Sequence, residues 1–339
     1  MDGPTLEALN RRSLSTTAGV LGAVLIALAA GLEQPYWAAM SALVIANADR
    51  SAQFTKGVLR IAGTGLGVVG GYGLALWLEG QPVAQALALM LAAGFGTYGR
   101  QRSPHGYAWF YAALSVILVL SCSMTTPEQL YAFAHFRCYE IMAGVVAATV
   151  ADWALGPRAG EFPTGVLALP AAASADDAAR ESLAAAVGTL AVALAWAMFD
   201  FPVLTQVLVS SLVIVDANIA ATGRRGRQRI LGCIIGGSAA LAAMAAGSEN
   251  MAWWLLTLGL GTFAFARIHL GGTPDAYVGT QAGIAFVITL VDSGPPASIE
   301  PALNRLIGIM IGVAIMSTVV WATSAALTAA APAHPEETT

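Results

Sequence analysis

The sequence predicts an all-α, polytopic membrane protein of about twelve transmembrane helices, in two parallel six-helix repeats with both termini cytoplasmic. Three observations carry that expectation. Only 11% of the residues are charged against 57% hydrophobic, where soluble domains carry about 25% charged residues. The apolar residues are gathered in long runs rather than scattered, and the segments between the runs alternate in charge.

The runs can be taken in order. Leu14–Leu32 follows Arg11 and Arg12. With Ala27-Leu28-Ala29 it imitates a cleavable leader, but its apolar stretch exceeds the roughly 7–15 residues of a leader core. Cleavage would also delete the counterpart of a later span, Ser182–Phe199. Tyr36–Ala48 is too short to cross alone, since a spanning helix needs roughly 17–25 residues. Its counterpart Val203–Ala221 is full length, so this second span is extended to about residue 54. Ile61–Leu78, Val83–Tyr98, Tyr107–Met124 and Leu130–Leu155 complete a first set of six. Ser182–Phe199, Val203–Ala221, Ile230–Gly247, Met251–Ala266, Ala276–Val291 and Ala302–Ala325 form the second.

Loop charge sets the orientation. Gaps expected outside hold Glu33, Glu79, Glu128, Asp200, Glu249, Asp292 and Glu300, with no Lys or Arg. Gaps expected inside hold Arg50, Lys56, Arg60, Arg100, Arg102, Arg158, Arg180, Arg224, Arg225, Arg227 and Arg267. Basic residues in short loops mark the cytoplasmic side. The net charge of −4 therefore says little about partners, because the two faces differ in character.

A repeat organises the chain. Residues 41–67 and 210–236 match at eleven of 27 positions without a gap, including Gly57/Gly226, Arg60/Arg229, Gly63/Gly232 and Gly67/Gly236. FRCYEIMAGV (136–145) answers NRLIGIMIGV (304–313), aligning Arg137 with Arg305. Six spans per half return the chain to the same side, so the repeats are parallel and related by an axis along the membrane normal. The expected division is a first repeat over 1–155, a cytoplasmic linker over 156–181, a second repeat over 182–325 and a disordered cytoplasmic tail over 326–339. The spaced glycines read as close helix packing in lipid. Cys122, Cys138 and Cys233 fall inside spans without CxxC spacing, so they read as small core residues rather than metal ligands or a disulfide framework.

PYWAAMSALVI (35–45), KGVLRIAGTGLGVVGG (56–71) and RCYEIMAGVVAA (137–148), repeated as RGRQRILGCIIGG (225–237) and NRLIGIMIGV, resemble the fusaric acid resistance protein-like family, the aromatic acid exporter group of bacterial inner-membrane proteins. The resemblance covers nearly the whole chain outside linker and tail. It implies a multi-pass protein of the bacterial inner (cytoplasmic) membrane that exports small organic anions, aromatic carboxylic acids of the fusaric acid type among them. Two departures stand out. Many exporters of the group carry a sizeable cytoplasmic domain between their halves where this chain has only a linker, and the second half here has Gly308 where Glu140 stands in the first.

Ionisable groups within a membrane cost roughly 2.5–3.5 kcal/mol on insertion scales and default to a functional hypothesis. Arg137 and Arg305 are the only basic residues placed away from cytoplasmic segments and their edges. Two guanidiniums at one depth suit a carboxylate, which Arg binds in bidentate fashion. Structurally, Arg137 could instead pair with Glu140 one turn on, and Arg305 could snorkel to the outer interface. Glu140 is the first candidate for proton coupling, since losing Arg137 to a substrate anion would favour its protonation. Asn47 with Asp49, and Asp216 with Asn218, end the second and eighth spans. Asn47, Asp216 and Asn218 are pathway candidates, with Asp216 a second candidate for coupling, and helix capping is the alternative for all of them. Asp152 beside Trp153 reads as interfacial, and Tyr36, Trp37, Trp253 and Trp254 as an aromatic belt.

The expectation is a proton-coupled secondary exporter, with a passive anion channel or facilitator and a non-transporting scaffold as alternatives. No phosphate-cradling motif, nucleophile–base pair or metal-spaced cluster points to an enzyme, a metal or a cofactor. The expected partners are a small organic anion and the lipid bilayer, not nucleic acid; an accessory efflux protein or a second copy is left open.

Overall fold

A computed structural model describes residues 5–47, 49–157, 173–201, 203–216, 218–246, 250–291 and 299–330. Among them all regular structure is helical. The first half comprises α1 (Leu6–Ala29), α2 (Pro35–Ile45), α3 (Arg50–Trp77), α4 (Pro82–Arg102), α5 (Gly106–Thr125) and α6 (Leu130–Leu155). The second comprises α7 (Ala175–Phe199), α8 (Leu204–Ile214), α9 (Ile219–Ala245), α10 (Met251–Leu270), α11 (Ala276–Leu290) and α12 (Glu300–Ala330). Eight helices, α1, α3, α5, α6, α7, α9, α10 and α12, are long and apolar enough to cross a membrane. Large apolar side chains such as Leu66, Val69, Trp77, Phe95 and Trp153 point outward, as a surface immersed in lipid requires.

The second and eighth spans depart from expectation. Neither is full length: α2 and α8 are 11 residues each, or about 17 Å at 1.5 Å per residue, roughly half the ~30 Å hydrocarbon core. The cause is local. After Ile45 the backbone turns extended at Ala46 (φ −50°, ψ 132°), and after Ile214 at Val215 (φ −57°, ψ 136°). Asn47 Oδ1 then accepts the Asp49 N–H (3.2 Å), and Asp216 Oδ1 the Asn218 N–H (3.0 Å). Asp49 and Asn218 in turn cap α3 and α9 by accepting from Ala52 N and Ala220 N. Each such side chain satisfies an N–H that the new helix cannot, so the chain restarts instead of continuing.

Two expected boundaries shift. α7 begins at Ala175 and α12 runs to Ala330, so both helices reach into the stretches assigned to linker and tail. Within those stretches, residues 158–172 and 331–339 lie outside the described residues, as do Arg158, Glu249 and Asp292.

Packing follows one list twice. In the first half α3 packs on α5 and α6, α4 on α5, and α1 and α6 on each other and on α2. The second half pairs α9 with α11 and α12, α10 with α11, and α7 and α12 with each other and with α8. Across the halves α4 meets α7 as α10 meets α1, and α5 meets α8 as α11 meets α2. The halves are therefore interlocked. One apolar core mixes Leu89, Leu118 and Leu120 with Leu208, Leu212 and Val192, and the other mixes Val20, Leu43 and Ile45 with Leu258, Phe286 and Leu290. Glycine sets the closest approaches. A Cβ at Gly63 or Gly67 would strike the α5 backbone at Ala108 or Ala112, and one at Gly236 would strike α11 at Ala282. Small residues at such crossings let backbones touch in lipid.

Candidate functional site

Four helices of the first half each turn one polar face inward. On α6, Arg137 and Glu140 are three residues apart and so share a face. Arg137 is 2% exposed, and its guanidinium lies 3.6 Å from the Trp37 ring centroid and 4.4 Å from that of Phe133. Such contact is an electrostatic attraction to the ring face, strengthened where water is excluded. Its Nη1 is 3.8 Å from Glu140 Oε2, and none of its three nitrogens has a hydrogen bond. Glu140 Oε1 accepts the Gln34 N–H (2.8 Å), while Gln34 Oε1 accepts from Tyr36 Oη (2.7 Å) and Trp37 Nε1 (2.8 Å). Tyr36 and Trp37, expected in the aromatic belt, are thus tied into this cluster. The reason is that Pro35 starts α2 beside α6.

One turn further along α2, Ser41 Oγ accepts from Arg60 Nε (3.2 Å) on α3. Arg60 is 4% exposed and lies over the Tyr111 ring at 4.1 Å, with its Nη1 unpartnered. Tyr107, one turn before Tyr111 on α5, buries its hydroxyl next to Arg60 with no hydrogen bond of good geometry. Arg60 also lies within electrostatic reach of Arg137.

The second half assembles a counterpart. Arg229 on α9 donates from Nη1 to Gln281 Oε1 on α11 (2.7 Å) and from Nη2 to Ser210 Oγ on α8 (3.4 Å). Arg305 on α12 lies within reach of Arg229, Cys233 and Tyr277. Both arginines are buried, with Nε unpartnered, and so is the Tyr277 hydroxyl. Ser41, Arg60, Tyr107 and Arg137 thus correspond to Ser210, Arg229, Tyr277 and Arg305. Three positions differ: Trp37, Tyr111 and Glu140 are answered by Gln206, Gln281 and Gly308. Gly308 leaves α12 tight against Gln206, with no room for a carboxylate side chain there.

The expected residues divide accordingly. Arg137, Glu140 and Arg305 lie inside these clusters, and Arg305 does not reach for the outer interface. Asn47, Asp216 and Asn218 do not join them. Asn47 sits at the α2–α3 bend, where its carbonyl accepts from Arg12 Nε, and Asp216 pairs with Arg225 at 3.0 Å. Asn218 is exposed at the α9 cap. Asp152, expected at the interface, is buried within the bundle: it is 3% exposed and forms an ion pair with Arg12, which also donates to Gln53 Oε1 (2.9 Å). Trp254 is fully buried and bonded to the Leu290 carbonyl, so it leaves the aromatic belt as well.

Arg60, Arg229, Tyr107 and Tyr277 were not singled out from sequence. The two arginines align in the repeat, but Arg60 belongs to the basic run that a linear reading assigns to the cytoplasmic side, and Arg229 follows directly on the equivalent run. Because α3 and α9 start at Arg50 and Ile219, each arginine stands ten residues, about 15 Å, from the start of its helix. That start position was the available signal.

A helical bundle of this composition, with charged side chains sealed inside it, is a multi-pass membrane protein. The chain belongs to the fusaric acid resistance protein family, whose model matches residues 12–161, while a model described as fusaric acid resistance protein-like matches residues 185–319. Over 151 residues it is 30% identical to the p-hydroxybenzoic acid efflux pump subunit AaeB of Enterobacter cloacae subsp. cloacae, covering 40% of this chain and 23% of that relative. The subunit of the same name from Escherichia fergusonii is 30% identical over 138 residues, covering 38% of this chain and 21% of the relative. These matches span less than a quarter of the curated relatives' own length. No solved structure matches the chain.

Proposed function

We propose that this chain is an inner-membrane secondary exporter of small organic anions of the aromatic carboxylic acid class, driven by protons. In this reading all twelve helices serve the membrane domain as two parallel repeats, α2 and α8 as half-spans, with both termini cytoplasmic. The carrying observation is the pair of buried Arg–Arg–Tyr clusters with unpartnered donors. A buried polar group left unsatisfied costs about 1–3 kcal/mol, more when charged, and unexplained cases call for a missing partner. A substrate carboxylate supplies that partner and can accept from two guanidinium nitrogens at once.

Two further observations support the reading. Unusually short hydrophobic segments at corresponding positions of two repeats point to a transporter's binding region, and α2 and α8 each hold one cluster's serine. The relatives are named as p-hydroxybenzoic acid efflux pump subunits, which supports aromatic carboxylates as the first substrates to try and leaves room for an accessory protein. Glu140 is the coupling group: as a carboxylate it neutralises Arg137, and once protonated it releases that charge.

Reconstituted protein is expected to move p-hydroxybenzoate uphill under an imposed pH gradient. Arg60→Gln combined with Arg229→Gln should lower the rate at least tenfold, and Glu140→Gln should leave downhill flux but abolish uphill movement. Flux no higher than in protein-free liposomes would end the proposal.

A further inference from the structure

The two clusters match at four positions, a serine, a tyrosine and two arginines, yet their charge balance differs. The first holds Arg60, Arg137 and Glu140, a net charge of +1 when all are ionised. Its guanidiniums are further occupied by the faces of Trp37, Phe133 and Tyr111. The second holds Arg229 and Arg305, a net +2, and among the described residues neither has a carboxylate in ion-pair distance. Its neighbours are neutral: the Gln281 amide, the Ser210 hydroxyl, the Tyr277 hydroxyl and the Cys233 thiol. Two like charges in one buried site repel, and each is costly to bury without a counterion. The arrangement is favourable when an anion lies between them.

We infer that the second-half cluster, Arg229 and Arg305 with Tyr277 and Gln281, is the subsite that takes the substrate's carboxylate, while in the first half this chain's own Glu140 fills the corresponding role beside Arg137. The inference rests on the exporter reading and deepens it by separating the two tasks. The anion is bound in one half, and the titrating carboxyl sits in the other. The differences at three aligned positions follow from that separation. Glu140 provides an internal anion, whereas Gly308 admits none. Trp37 and Tyr111 cover their arginines with ring faces, whereas Gln281 meets Arg229 edge-on through a single amide oxygen and leaves its Nε free.

The test is equilibrium binding of p-hydroxybenzoate to the full chain in lipid nanodiscs. Arg305→Gln removes one of the two charges. Gln281→Glu keeps the shape but places a carboxylate where Arg229 now meets an amide at 2.7 Å, giving the second half an internal anion of its own. Each is expected to weaken binding at least tenfold, and at least threefold more than Arg137→Gln does. A smaller margin, or the reverse order, overturns the inference. If Arg305→Gln does not yield monodisperse protein, Gln281→Glu decides alone. Wild-type protein that binds no aromatic carboxylate would remove the exporter reading itself. Binding dominated by Arg137 would remove only the assignment made here.

Discussion

Replacing Asp152 by Asn removes the carboxylate that neutralises Arg12 while keeping its shape. Arg12 is 1% exposed, so the stranded charge cannot recover water. Breaking a buried pair by removing one partner costs about 3–5 kcal/mol. Arg12 keeps two other acceptors, the Asn47 carbonyl and Gln53 Oε1, which places the expected loss near the lower bound, about 3 kcal/mol. Arg50 provides the internal control. It reaches the same Asp152 at 3.4 Å, but its side chain is 47% exposed, so Arg50→Ala should cost less than about 1 kcal/mol. The double change Arg12→Met with Asp152→Leu should recover most of the loss, because apolar replacement of a whole buried pair is often neutral. Reversible unfolding of purified protein in mixed micelles gives all three values under one condition. An Asp152→Asn variant within about 1 kcal/mol of wild type would refute the view that this pair ties α1, α6 and the α2–α3 bend together.

Two other predictions use the same measurement. Gly67→Ala should destabilise by about 1–3 kcal/mol, since its Cβ would strike the Ala112 backbone, whereas Gly70→Ala, with nothing nearby, should be neutral or slightly stabilising; equal effects would argue against the α3–α5 contact. Trp254→Phe should cost about 1 kcal/mol through the lost bond to the Leu290 carbonyl, while Trp253→Phe, at an exposed position, should leave the unfolding midpoint unchanged.

Much of the architecture is written in periodicity and repetition. Long apolar runs, sparse charge and glycines at helical spacing follow from composition and order, because a bilayer demands helices that satisfy their own backbone groups. The repeat could be read by aligning Arg60 with Arg229 and Arg137 with Arg305, which requires no coordinates. Half-length α2 and α8 were less visible: Ala46 and Val215 are apolar, and the helix stops at the turn that Asn47 and Asp216 make with the N–H two residues on. Hydropathy measures burial, not backbone direction.

The candidate site was legible in part for a similar reason. Arg137, Glu140 and Arg305 declared themselves as charges within apolar runs. Arg60 and Arg229 did not, since each follows a basic stretch that a linear reading assigns to the inner edge. Whether such a residue is solvated or sealed depends on where its helix begins and which neighbour covers it. Tyr107 and Tyr277 are ordinary apolar-face residues until α5 and α11 bring them against those arginines. Conversely, Asn47, Asp216 and Asn218 looked like buried chemistry, but each spends a side-chain oxygen on the backbone N–H two residues on, and Asp216 spends its other on Arg225. The sequence by itself determined the class, most of the helices and the repeated order of the two halves, all properties of local order and solvent. Only the tertiary structure decided which charges share a site, because that depends on contacts between helices distant along the chain.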